Sequence, residues 1–274
     1  MRILSLQPSV SILLHHLGRL DTLVACTRYC LDAVPELRER HLAGKLAIVQ
    51  DSWSITPDEL LPVAADLIVA SIPYRMESLA AILRAGRPVL ALAPHTLEDI
   101  YQEIRLLAGV VGETAKGEAL VTAMDTTIAG MRARTRDFQR PRVYCEEWGK
   151  PMIHSQIWVK ELVEAAGGSF LGEPGTHTQA EDIAKADPDV IVMAWCGAGN
   201  RVPLERVVEQ RAWEELRAVR EGRVYCIADE MLNTPAPTLA AGLAALAQCL
   251  HPDVFGTLAP PSGRPLSQFP PHCV

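Results

Sequence analysis

The chain predicts an α/β fold of two Rossmann-like three-layer lobes joined by one long helix, with a ligand cleft between the lobes. Three observations carry this. Short β-branched and leucine-rich runs alternate with helix-length apolar-faced segments. One local plan occurs twice, ending first in DELLPVAADLIVA and later in EDIAKADPDVIVM. Between the copies, residues 113–138 form a helical pattern without proline.

The expected division is an N-terminal lobe over residues 1–112, a connecting helix over 113–139, a C-terminal lobe over 140–251 and a proline-rich tail over 252–274. In the first lobe, residues 2–6, 23–26, 47–49, 67–70 and 89–92 read as strands covered on both faces. A helix over residues 11–17 buries Ile12, Leu13, Leu14 and Leu17, then stops at Gly18. Thr56 is a cap for Pro57 at the first helical position, with Asp58 and Glu59 in the favourable first turn. Residues 76–83 make the next helix, ending near Gly86.

In the connector, Ala119, Leu120, Ala123, Met124, Ile128 and Met131 share one face. Gly117 and Gly130 each weaken it by about 0.8–1.0 kcal/mol relative to alanine, so packing must stabilise it. The second lobe repeats the order. Strands are expected at 142–145, 169–171, 190–194 and 224–227, and helices at 155–166, 181–186, 204–209, 212–218 and 238–250. The tail reads as an extended wrap or a loose end.

Apolar residues make up 49 % of the chain with charge scattered through it, which excludes a disordered class. Lys and Arg number 26 against 33 Asp and Glu, a net charge of −7 that argues against nucleic-acid binding. No apolar run is long enough to span a membrane, and a monomer is expected. Seven widely spaced cysteines resemble no disulfide framework and point to a reducing compartment. Met1 and Arg2 lead straight into a strand with no export signal visible. The chain as given is therefore expected in the cytoplasm, or in the periplasm or at the cell surface if an export signal was removed.

Ligands of α/β sheets approach the C-terminal ends of strands. There the first lobe offers Tyr29, Trp53, Tyr74 and Arg75, and the second Trp148, His177, Trp195 and Met231. The tryptophans and tyrosines either wall a large conjugated ligand or cap the cores of their lobes. His177 is a polar ligand contact in this reading; it has no companion to make a metal site, and none is expected elsewhere. Cys196, beside Gly197 and Gly199, sits in a loop able to expose backbone N–H groups, but nothing supplies it with a base. No nucleotide, esterase or metalloprotease signature occurs, so no catalytic residue and no catalytic cofactor is assigned. Asp58, Glu59 and Glu181 are helix-start acids, or acidic knobs that dock basic patches of a partner.

RILSLQPSVSILLHHLGRLDTLVACTRYC, DSWSITPDELLPVAADLIVA and THTQAEDIAKADPDVIVMAW together resemble the helical-hinge ABC-transporter substrate-binding proteins, a periplasmic binding protein fold. The closest resemblance is to vitamin B12-binding proteins, with haem and iron–siderophore binders as relatives. It implies non-catalytic binding of cobalamin or a related corrinoid between the lobes. The alternatives are haem or iron–siderophore binding, or an enzyme acting on such a cofactor. Tyr29 and Trp53 match aromatic positions of the family's first lobe, whereas His177 stands where a second-lobe aromatic is expected. The resemblance implies an ABC permease partner docked through Glu181 and either Asp58 or Glu59. With no export signal in view, an intracellular corrinoid buffer is the corresponding expectation.

Overall fold

The computed structural model describes residues 1–72 and 76–266. It divides into two units, Met1–Ala123 with Pro235–Pro237, and Met124–Thr234 with Thr238–Val274. Both are α/β lobes, joined through a helix, Thr114–Arg134, within which the division falls.

In the first unit, strands β1 (Ile3–Ser5), β2 (Leu23–Thr27), β3 (Ala47–Val49), β4 (Leu67–Ser71) and β5 (Val89–Leu92) form one sheet in the order β3-β2-β1-β4-β5. Every pairing is parallel. The strand order therefore reverses between β1 and β4. Leu4, Leu6, Ala25, Ile68 and Ala70 bury one face against Ile55, Leu60 and Ile82. Pro8 opens the first helix, Pro8–His16, earlier than expected, because its fixed φ suits a first helical position. Gly18, at φ 71°, supplies the left-handed turn after it.

The helix Leu97–Val110 adds an element absent from the expected order. Thr96 accepts from the Asp99 N–H at 3.2 Å, and the Asp99 carboxylate accepts from the Thr96 N–H at 2.9 Å, a reciprocal cap. Gly117 of the long helix lies against it. A Cβ there would stand 2.4 Å from Ala108 Cβ, so this glycine permits a close helix contact where the sequence suggested only a weak point.

The second unit holds β6 (Arg142–Gly149), β7 (Met152–His154), β8 (Ser169–Phe170), β9 (Val190–Met193), β10 (Val224–Ile227) and β11 (Gly263–Pro265). The sheet runs β11-β10-β9-β6-β7, with β8 also paired to β6. Strands β8, β6, β9 and β10 are mutually parallel. Strands β7 and β11 add antiparallel edges. The tail expected as a wrap or loose end thus contributes the short helix Pro252–Phe255 and an edge strand. The helix expected over residues 212–218 is reduced to Arg217–Arg220. Ala212 takes a left-handed φ of 51° just after the helix Leu204–Gln210 ends. Trp158 and Trp213 are core residues, 2 % and 0 % exposed.

Candidate functional site

In the first unit, residues that follow strand ends converge through Ser52. Its hydroxyl donates to the Ser71 carbonyl at 3.0 Å and the Leu6 carbonyl at 3.3 Å, and accepts from Gln7 Nε2 at 2.8 Å. The ends of β1 and β4 are thereby tied together at the strand-order reversal. No sequence motif announces Ser52, since its role depends on carbonyls far along the chain.

Tyr29 and Trp53 follow the adjacent strands β2 and β3 and are 37 % and 44 % exposed. Both loops are held from beneath. Thr27 caps the helix Arg28–Ala33, accepting from the Cys30 N–H at 3.3 Å. Asp51 Oδ1 accepts from the N–H groups of Trp53 and Ser54 at 3.1 and 3.0 Å, an Asx turn, while Ser78 Oγ donates to the Trp53 carbonyl at 2.7 Å. The Arg28 guanidinium sits 5.2 Å from the Tyr29 ring centroid. These bonds tie both backbones, and both side chains keep part of their surface exposed. Tyr74 and Arg75 lie outside the described residues.

Second-unit candidates are dispersed. Trp148 is 42 % exposed on the β6–β7 hairpin, and its indole N–H donates to the Lys150 carbonyl at 2.9 Å. Trp195 turns inward. It packs on the core, donates from Nε1 to Glu146 Oε1 at 2.7 Å, and lies so close to Gly149 that a Cβ there would meet its ring at 2.3 Å. His177 is exposed, in a segment paired to β7 through a backbone bridge with Ile153. Met231 is half-buried, with its carbonyl 1.9 Å from where a Gly242 Cβ would stand.

Glu146 and Glu147 separate completely in role. Glu146 is fully buried and forms a bidentate pair with Arg211, both contacts 2.8 Å, besides accepting from Tyr144 Oη and Trp195 Nε1. The Arg211 guanidinium lies 4.8 Å from the Trp213 ring centroid. Arg211 was invisible to sequence reading because its partner is 65 residues away. Glu147 keeps Gln156 Nε2 2.9 Å from each of its oxygens; burial pushes its pKa up to about 7 against the lowering effect of that hydrogen bond.

The glycine loop after Trp195 lacks the spare donors expected of it. The N–H groups of Gly197 and Gly199 both donate to Asp229, each at 2.8 Å. Cys196 is exposed, and its own N–H donates to the Glu147 carbonyl at 3.1 Å, a contact that ties the segment after β9 to β6. No group of three or more His, Cys, Asp or Glu side chains among the described residues could hold a metal ion. An open depression of about 470 Å³ in the first unit, lined by Arg2, Val24, Ala47, Ile48, Val49, Glu59 and Val63, runs along β3, and neither Tyr29 nor Trp53 lines it.

The two acidic helices can be aligned by helical position. Asp58 is the second residue of the helix Pro57–Leu60, and Glu181 the second of Ala180–Ala186. Both are exposed. Glu59, one residue on, accepts from the Thr56 N–H and Oγ1, both at 3.1 Å, and is occupied as a cap. Arg87 holds the far end of the first helix, donating to the carbonyls of Leu60, Leu61 and Val63.

A family model described as "Periplasmic binding protein" matches residues 3–231. The uncharacterized ABC transporter substrate-binding lipoprotein YvrC of Bacillus subtilis is 22 % identical over 93 % of this chain and 81 % of its own length. The vitamin B12-binding protein of Vibrio parahaemolyticus is 21 % identical over 86 % of this chain and 84 % of its own. The crystal structure of a periplasmic heme binding protein from Pseudomonas aeruginosa superposes with a TM-score of 0.79 at 21 % identity, covering 97 % of this chain and 95 % of that one.

These matches overturn the expectation of a cytoplasmic protein, and the intracellular corrinoid buffer falls with it: the relatives are periplasmic or extracytoplasmic binding proteins. The cysteines misled because Cys26, Cys30, Cys145, Cys226 and Cys249 are buried. A buried thiol packs as a small hydrophobe, so its presence follows core volume rather than compartment.

Proposed function

The chain belongs to the periplasmic binding protein family, a class of non-catalytic carriers, and on that premise we propose that its ligand is haem, received on the faces of Tyr29 and Trp53. The enzyme alternative falls with the family. Binding of a large small-molecule ligand without turnover is what the family and its relatives support.

The observation that carries the reading is the pair of exposed aromatics at the ends of neighbouring strands, on loops that are themselves fixed. Flat side chains with little freedom to lose suit a flat conjugated ligand. A tyrosine phenol is also an axial ligand for haem iron, and Tyr29 carries one, with the Arg28 guanidinium over its ring. Trp148 offers a further exposed face in the second unit. The heme-binding structural relative supports the same ligand class. Cobalamin is the second reading, favoured by the vitamin B12-binding relative. Its ring would use the same aromatic faces without requiring the phenol.

Incubation with haem or with cobalamin, followed by desalting and an absorption spectrum, separates the two. Haem retention with a spectrum altered by Tyr29→Phe, and affinity lowered about tenfold or more, is the expected result. Retention of cobalamin alone, with Tyr29→Phe silent, moves the assignment to a corrinoid. Retention of neither removes both.

The partner proposed is an ABC permease whose arginines meet Asp58 and Glu181. Asp58 takes this role over Glu59 because it shares Glu181's helical position and its carboxylate is not the one engaged with Thr56. Asp58→Lys is expected to abolish permease-coupled uptake while leaving ligand affinity unchanged; unchanged uptake would remove Asp58 from the interface.

A further inference from the structure

We propose that Cys26 and Cys30 are a redox pair that closes an intramolecular disulfide across the Thr27–Tyr29 turn. Buried Ser5 neighbours both thiols. Strand register sets Cys26 beside Ser5, and Ser5 Oγ lies 3.9 Å from Cys30 Sγ. Thr27 Oγ1 stands 3.2 Å from the same sulfur. Cys26 and Cys30 are both 0 % exposed and both free in this structure.

The polar surroundings prepare one thiol as the attacking group. Burial opposes ionisation of Cys30, but the neighbouring Cys26 thiol and the Ser11 and Thr27 hydroxyls outweigh it and lower its pKa. The neighbouring Cys30 thiol, with burial, raises that of Cys26. A thiolate beside a second thiol is the starting arrangement for thiol–disulfide exchange.

The co-reactant is a small-molecule disulfide, such as oxidised glutathione, in the oxidising setting of a periplasm. The Cys30 thiolate attacks one of its sulfurs, forming a mixed disulfide and releasing one glutathione thiolate. Cys26, losing its proton to solvent, then attacks the Cys30 sulfur and releases the second. Two protein thiols are oxidised and one disulfide is reduced to two thiols. Both cysteines are fully buried, so the oxidant reaches them during folding or on local opening of the six-residue helix Arg28–Ala33. Tyr29 lies inside the closed loop, so the bridge would fix the backbone of the proposed ligand wall. That consequence rests on the function proposed above; the bridge itself does not.

The test refolds the full chain from denaturant in oxidised or reduced glutathione, without ligand. Trapping of thiols under denaturing conditions, intact mass and peptide mapping then follow. The expected result in oxidised glutathione is two fewer alkylated thiols, a mass lower by two hydrogens and a Cys26–Cys30 linked peptide. Cys26→Ala and Cys30→Ala should each abolish that peptide. Full alkylation of every thiol after refolding to a native circular dichroism spectrum would overturn the proposal. So would a bridge that maps to any other two cysteines while Cys26 and Cys30 stay alkylated.

Discussion

Replacing Arg211 with methionine removes the only cation paired with Glu146 among the described residues and leaves the carboxylate inside the second unit. Glu146 is 0 % exposed and the Arg211 side chain 10 %, so water cannot replace the guanidinium without opening the core. Breaking such a pair costs about 3–5 kcal/mol. Tyr144 and Trp195 still donate to Glu146, which places the expected loss near the lower end, about 3 kcal/mol. Adding Glu146→Gln removes the stranded charge while keeping an amide oxygen for the Trp195 indole. The double variant should therefore recover to within about 1–2 kcal/mol of the starting protein, a coupling of at least about 1 kcal/mol. Urea unfolding followed by near-ultraviolet circular dichroism, with Trp195 and Trp213 as reporters, measures the cycle. An Arg211→Met loss below about 1 kcal/mol, or a double variant equal to the sum of the singles, would refute the reasoning.

Glu147→Gln tests a cost of ionisation. The folded pKa is raised, to about 7, above the ordinary carboxylate value, so the native state is penalised above pH 7 and relieved as pH falls toward the unfolded value. The variant should be more stable than the parent by about 1–2 kcal/mol at pH 8, with the difference gone by about pH 4, as read from urea midpoints. Gly149→Ala forces a methyl to 2.3 Å from the Trp195 ring and should cost about 1–3 kcal/mol, with a shift in tryptophan emission during thermal unfolding. Arg87→Ala strips the donors from the carbonyls of Leu60, Leu61 and Val63 at and beyond the end of the helix Pro57–Leu60. Amide exchange of residues 58–61 should accelerate while that of β4 stays unchanged; equal protection in the variant would show that the arginine does not hold this helix.

The parallel strands were legible because strands covered on both faces read as continuous apolar runs; β10 begins and ends where the pattern does. The antiparallel edges of the second sheet were not. Strand β11 is Gly-Arg-Pro, a composition with no strand preference, and exists because β10 has an open side to pair with. The helix Leu97–Val110 is written in Thr96, Asp99 and the spacing of Ile100, Ile104 and Leu107, yet it lies outside the twice-repeated plan that organises the rest. Among candidate residues, position after a strand located Tyr29, Trp53 and Trp148 on the surface. The same rule gave Trp195 no direction. Its inward turn depends on Glu146, which in turn depends on Arg211, a chain of nonlocal contacts without local signature. The proposed preference for Asp58 over Glu59 likewise rests on the cap that Glu59 makes with Thr56.

Ser52 has a consequence for how ligand choice can change over evolution. In dinucleotide-binding sheets, the gap where strand order reverses is the ligand's own seat. Here the protein fills that seat itself with Gln7, Ser52 and the Leu6 and Ser71 carbonyls. In the function proposed above the ligand takes the rim, where Tyr29 and Trp53 stand on separately braced loops. Rim side chains can be exchanged without loosening the plug, so new cargo preferences need not be traded against folding. Related lobes named for cobalamin and for heme, at about one residue in five identical to this one, are what such a scaffold would leave behind.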